Sequence, residues 1–241
     1  MSTPGSRTAP PEPPGSRPPA PTRLLLVRHG QSTWNDQRRI QGQLDPPLSE
    51  LGREQARRLA ERLADGAFNG FYTSDLRRAR DTASAVAAVT GREAEPRADL
   101  REIALGEWEG LTREELIDRY PELWERWQRA PSWDIPPGCE GAAAFEARVA
   151  LALQRILERH PRGDVLVVTH GGVIQVALAR VFGKGSAGVF PFVIDNCSIT
   201  TLMRGPNRMV IAGVNDTCHL TDGTFGVASR RDRSGGLTGT Y

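Results

Sequence analysis

Arg23-Leu24-Leu25-Leu26-Val27-Arg28-His29-Gly30 decides the architecture of this chain. Four consecutive apolar residues, entered from one arginine and left through Arg28-His29-Gly30, suit a strand buried on both faces of a parallel sheet. The polar triplet then marks the carboxyl end of that strand. The same design recurs downstream, where Val165-Leu166-Val167-Val168 leaves through Thr169-His170-Gly171-Gly172 into an apolar helix predicted over Val173 to Phe182.

Helices alternate with these strands. Ser49 is a predicted N-cap, followed by apolar residues at helical spacing, Ala56, Leu59, Ala60 and Leu63, until Asp65-Gly66 stops the helix. Phe71-Tyr72-Thr73 reads as another short strand, with Ser74 capping a helix that runs through Ala79, Ala83 and Val86 to Gly91. Thr112 and Glu115 form a capping box for a short helix ending near Pro121. A long amphipathic helix carries Phe145, Val149, Ala152, Leu153 and Ile156. Ser198 to Arg204 and Arg208 to Val214, joined by Gly205-Pro206-Asn207, read as a β-hairpin at the sheet edge. The expected fold is α/β: a three-layer sandwich with helices on both faces of a mostly parallel sheet and an antiparallel edge hairpin. Ligands in such folds bind beyond the carboxyl ends of the strands, so His29 and His170 are expected to share one cleft.

The length of 241 residues fits one large domain, and with a net charge of only +2 no global field argues for a nucleic-acid or membrane partner, so neither is expected. Cys139, Cys197 and Cys218 are odd in number and lack CxxC spacing, which suggests neither a disulfide framework nor a zinc site and suits a reducing cytoplasm. No apolar run reaches the length of a transmembrane helix, and Met1 to Thr22 lacks the apolar centre of a signal peptide. That segment holds eight prolines among Ser, Thr, Gly and Ala and reads as a disordered tail, or else as a Pro-rich ligand for a partner domain. The catalytic domain is expected over residues 23–220, followed by a loose tail over 221–241.

Arg28-His29-Gly30-Gln31-Ser32-Thr33-Trp34-Asn35 continues into Gln41-Gly42 and Leu48-Ser49-Glu50-Leu51-Gly52. Further on come Ser74-Asp75-Leu76-Arg77-Arg78-Ala79-Arg80-Asp81-Thr82-Ala83, then Leu100-Arg101-Glu102-Ile103 with Gly106-Glu107-Trp108-Glu109-Gly110, and finally Thr169-His170-Gly171-Gly172. In this order the motifs resemble the histidine phosphatase superfamily, the phosphoglycerate mutase-like proteins, over about Leu24 to Leu220.

The resemblance implies a metal-independent, cofactor-free phosphatase acting on a small phosphorylated metabolite. Its chemistry suits these residue types. Arginine forks such as Arg28 and Arg78 neutralise phosphate oxygens bidentately. His29 would attack phosphorus to give a phosphohistidine that water then cleaves, with its other ring nitrogen held by a backbone carbonyl. Glu102, by motif position, would protonate the leaving oxygen, although Glu107 and Glu109 lie close by. His170 would bond the transferring phosphoryl group, best as a cation. Asn35, Gln41, Gly42 and the backbone amide of Gly171 are the remaining expected phosphate or substrate contacts. No metal is expected beside so many cationic side chains, and Arg77 is expected to be solvated. His160 is read as a helix-end cap, and His219 has no assigned catalytic role.

Two other functions compete. A phosphoglycerate mutase-type phosphotransferase would use the same phosphohistidine, but only 67 residues lie between Glu102 and His170, a compact spacing resembling the phosphatase branch. A non-catalytic binding module would be expected to lack one of the key residues, and all are present. Trp124, Trp127 and Trp133 lie in a segment over residues 120–138 that forms either a lid or a set of packing anchors. The edge hairpin leaves a homodimer open.

Overall fold

A computed structural model describes residues 21–183, 192–205 and 207–221. The Pro-rich segment up to residue 20, the C-terminal stretch from 222 and Pro206 of the hairpin turn lie outside the described residues. Thr22 is buried; its hydroxyl donates to the His160 carbonyl and its own carbonyl accepts from Arg204 N–H.

Along the chain come β1 (Arg23–Arg28), a one-turn helix α1 (Thr33–Asp36), α2 (Glu50–Leu63), β2 (Phe68–Ser74), α3 (Arg77–Thr90) and a short β3 (Glu95–Arg97). Then follow α4 (Arg113–Arg119), α5 (Pro121–Arg129), α6 (Ala142–Arg159), β4 (Asp164–Thr169), α7 (Gly171–Val181), β5 (Ile199–Arg204) and β6 (Met209–Asp216). One six-stranded sheet has the order β3-β2-β4-β1-β5-β6. Its first four strands are mutually parallel, and β5 and β6 add an antiparallel edge pair.

The apolar runs of β1 and β4 are continuous because each face of the sheet carries its own core. Leu24, Leu26, Val165 and Val167 pack with Phe145, Val149, Ala152, Ile174 and Leu178 of α6 and α7. The alternate residues Val27, Leu166 and Val168 pack with Ala56, Leu59, Ala79 and Ala83 of α2 and α3. Successive strand side chains point to opposite faces, so this two-sided burial produces the three layers.

Some local readings hold and others are corrected. Ser74 does not cap α3: Leu76 holds the N-cap position, without a side-chain cap bond, and the Ser74 hydroxyl faces His170. His160 is the C-cap of α6, as its place at the helix end suggested, with its backbone N–H donating to the Ile156 carbonyl; its ring meets the Tyr72 hydroxyl at 2.7 Å. The apolar helix starts at Gly171, two residues earlier than predicted. The short helix does end near Pro121, α4 stopping at Arg119, and Pro121 then opens α5 at the first helical position, where its missing N–H has no cost. Trp133 and Trp127 are packing anchors, stacked edge-on against Phe145 and Trp108 in the α6 core.

Candidate active site

β1 delivers Arg28 and His29 to the carboxyl edge of the sheet, and the turn that follows is fixed from several sides. His29 N–H donates to the Thr169 carbonyl of β4 at 2.9 Å, tying the ends of the two central strands together. The His29 carbonyl accepts from the Asn196 side chain at 3.0 Å and from Cys197 N–H at 3.2 Å. Gly30 N–H donates to Thr82 Oγ1 of α3 at 3.0 Å, and Gln31 N–H to Gln55 Oε1 of α2 at 2.9 Å.

The imidazole lies between a carbonyl and an arginine. His29 Nδ1 donates to the Gly30 carbonyl at 2.7 Å, which places the ring proton on Nδ1 and the lone pair on Nε2. That lone pair accepts from Arg78 Nε at 3.3 Å. Burial, with the charges of Arg78 and Arg28 beside it, holds the ring's pKa well below that of an ordinary histidine. The backbone-held nitrogen expected for this position is therefore present, on the adjacent residue's own carbonyl.

Arg78, on the first turn of α3, is almost fully buried. Beyond His29, its Nη1 donates to the Leu44 carbonyl and its Nη2 to the Gly42 carbonyl, both at 2.8 Å. Burial lowers its pKa to about 10, leaving it a cation at neutral pH. Arg28 is equally buried, with Nη1 donating to the Ile194 carbonyl at 2.6 Å. The α3 amide at Arg77 goes to Asp45 Oδ1 at 2.6 Å, while the Arg77 side chain is exposed and pairs with Asp81. Arg80 is exposed as well.

His170 caps α7 by backbone position and is fully buried, its ring centroid 5.2 Å from that of His29. Nε2 meets Ser74 Oγ at 2.8 Å, and Nδ1 has no hydrogen-bond partner among the described residues. Burial and the charges of Arg78, His29, Arg28 and Arg148 push its pKa well below the usual value. Burial and these charges work against the cationic His170 that would best bond a phosphoryl group.

Glu102 lies half-buried in the loop after β3. Its Oε2 accepts from Gly172 N–H and its Oε1 from Ile103 N–H, each at 3.0 Å, so the carboxyl touches the first turn of α7 directly after His170. The two neighbouring candidates are otherwise engaged. Exposed Glu107 accepts from the Tyr120 hydroxyl at 2.6 Å, and Glu109 Oε1 accepts from Gln43 and Leu105 amides.

The Gln41–Gly42 turn and α1 complete the rim. Ser32 Oγ donates to Gln41 Oε1 at 2.7 Å and accepts from Asn35 N–H at 3.0 Å. Asn35 Oδ1 accepts from Ser32 N–H and Asn196, leaving its buried Nδ2 donor without a partner among the described residues. The Gly171 amide, first in α7, is among those with no intrahelical acceptor. All nine sequence-selected residues therefore lie at the carboxyl ends of β1 to β4, on the strand ends, the loops that follow them or the helix starts beyond. Sequence reasoning missed Ser74, Thr82, Gln55 and Asn196, although Ser74 and Thr82 stand inside the Arg78 motif. Among the described residues no group of three or more His, Cys, Asp or Glu side chains could hold a metal ion, and no helix is long and apolar enough to cross a membrane.

Comparisons with known proteins agree with this geometry. The chain is 35% identical over 198 residues to phosphoserine phosphatase 1 of Hydrogenobacter thermophilus, covering 82% of this chain and 94% of that one. It is 42% identical over 205 residues to phosphoglycerate mutase-like protein 4 of Arabidopsis thaliana, with coverages of 84% and 88%. The structure of Bacillus stearothermophilus YhfR superposes with a TM-score of 0.75 at 34% identity, covering 83% of this chain and 99% of that one. Residues 24–217 match the family described as the histidine phosphatase superfamily, branch 1. With the fold, the paired histidines and this match over most of its length, the chain belongs to branch 1 of the histidine phosphatase superfamily and is a phosphatase.

Proposed function

We propose that the protein hydrolyses small phosphomonoesters by double displacement on His29, without a metal, and that Glu102 is the general acid. The observation that carries this reading is the His29 ring itself: Nδ1–H on the Gly30 carbonyl leaves an Nε2 lone pair among Arg78, Arg28 and His170. A phosphoryl group arriving there takes the place of the Arg78 N–H on that lone pair, and the guanidinium turns its donors to the phosphate oxygens. Nε2 then forms the N–P bond as the P–O ester bond breaks, and Glu102 gives its proton to the departing alkoxide. In the second step water attacks phosphorus, Glu102 takes the water proton, and the N–P bond breaks to release inorganic phosphate. A protonated Glu102 retains lone pairs for the Gly172 and Ile103 amides, so it can act without leaving its place. His170, Asn35 and the Gly171 amide supply donors to the phosphoryl oxygens, with Gln41 and Gly42 shaping the rim.

The name of the Hydrogenobacter relative makes phosphoserine the first substrate to assay. A panel of phosphomonoesters in EDTA should show phosphate release, and His29→Ala should reduce it by several orders of magnitude. An acid-labile phosphoenzyme should be trapped on His29. Activity that disappears in EDTA, or that survives His29→Ala, overturns the mechanism. Conversion of 3-phosphoglycerate to 2-phosphoglycerate faster than phosphate release would make the protein a mutase.

A further inference from the structure

Arg148 of α6 lies on none of the motifs that mark the site, yet it is the most heavily bonded side chain near Glu102. Its Nη1 donates to the carbonyls of Asp99 and Arg101 at 3.1 and 2.9 Å, and its Nη2 to the Glu102 carbonyl at 3.2 Å. Nε and Nη2 grip Glu140 as a fork, both at 2.7 Å. Glu140 in turn accepts from Ala104 N–H, and its own N–H donates to the Ala104 carbonyl. The guanidinium lies over the Phe145 ring, 5.1 Å from its centroid. Phe145 also borders Gly172, whose amide holds the Glu102 carboxyl.

We propose that Arg148 is a positioning residue for the acid: it clamps the main chain of residues 99–102 from α6 and so sets where the Glu102 carboxyl meets the leaving oxygen. This rests on Glu102 being the general acid. The planar fork matters, because three carbonyls and a carboxylate at fixed positions need donors in a fixed plane, which a lysine cannot supply. Glu140 meets the guanidinium with both oxygens, and the cation's remaining donors serve the loop backbone. An acid displaced by about 1 Å loses on the order of a hundredfold in rate.

The test compares kcat/KM for phosphoserine, whose alkoxide needs a proton to leave, with that for p-nitrophenyl phosphate, whose phenolate leaves without one. kcat/KM reports the steps up to leaving-group departure, so slow dephosphorylation does not mask the comparison. Arg148→Met, which keeps an unbranched stem on Phe145, should lower phosphoserine kcat/KM by roughly tenfold to a hundredfold and p-nitrophenyl phosphate by less than about threefold. Glu102→Gln should show the same selectivity more strongly. Arg148→Lys should fall nearer to Arg148→Met than to the native protein. If Glu102→Gln loses both substrates alike, the reading of Glu102 as acid fails. If Glu102→Gln is selective but Arg148→Met lowers both substrates in proportion, or neither, the role of Arg148 is overturned. Should Arg148→Met fail to fold, Arg148→Lys decides alone, and native selectivity in it overturns the proposal.

Discussion

At Gly172 one added carbon separates a folded protein from a working one. A Cβ there would overlap Glu102 Oε1 and approach Phe145 Cε1 to 3.3 Å. The ring is packed in the core, whereas the carboxyl is the end of a flexible side chain, so the carboxyl is what gives way. Gly172 is helical, and alanine in a helix is favoured over glycine by about 1 kcal/mol, which offsets part of the steric cost. Gly172→Ala should therefore melt within a few degrees of the native protein while losing roughly tenfold to a hundredfold in kcat/KM for an alkyl phosphate. Thermal melts and kinetics on phosphoserine check this, and unchanged turnover would mean that the Gly172 amide does not position the acid.

The start of α2 acts on the other half of the site. Ser49 N–H and its hydroxyl bond the carbonyl and side chain of Gln31, Gln55 takes the Gln31 N–H, and that same peptide carries the Gly30 carbonyl that holds His29 Nδ1. The approach is close enough that a Cβ on Gly52 would overlap the Gln31 carbonyl oxygen, and one on Gly30 would press on the Gly52 carbonyl. Both obstacles are main chain, so Gly52→Ala should push α2 off the turn, costing about 1–3 kcal/mol as overpacking does. Turnover should fall with it, because the peptide that orients the nucleophile moves. Urea denaturation and phosphate release measure the two effects, and a fully stable, fully active variant would remove the clamp. Elements of this kind were only half legible. The Ser49 cap and the spacing of Ala56, Leu59 and Leu63 disclosed α2, and uninterrupted apolar runs disclosed β1 and β4. Glu95-Pro96-Arg97 has no apolar alternation because β3 is a three-residue, largely exposed edge strand, and α1 is a single turn, too short for a period. α5 was hidden behind a proline read as a stop. The motifs held Arg28, His29, Arg78, Glu102 and His170, but Gln55, Asn196 and Arg148 act through contacts between distant elements, which periodicity does not encode.

For the molecule as a whole, the site imposes a pH limit on stability. Each of the four histidines has a pKa below the ordinary value, with burial the largest cause, and for His29 and His170 the depression is large. Above pH 6.5 neither the folded nor the unfolded chain charges these rings. As pH falls below 6.5 the unfolded chain takes up protons that the folded chain refuses, so folding loses free energy until the depressed pKa values are reached. Each ring that is fully protonated only when unfolded contributes about 1.4 kcal/mol per pH unit, so His29 and His170 together approach about 3 kcal/mol per unit. Paired carboxylates such as Asp75 and Asp216, whose pKa values are lowered by the Arg101 side chain and the Cys218 amide respectively, join only at lower pH. Urea midpoints should therefore be level between pH 8 and 7 and fall steeply from pH 6.5 to 5.5, and His170→Asn should flatten that slope. A level profile down to pH 5.5, or an unchanged slope in His170→Asn, would contradict the neutral, arginine-flanked state of the pair. Burial and the two arginines hold the His29 pKa well below the ordinary value, so activity should show no histidine titration near 6.5 and its loss on acidification should follow the unfolding curve.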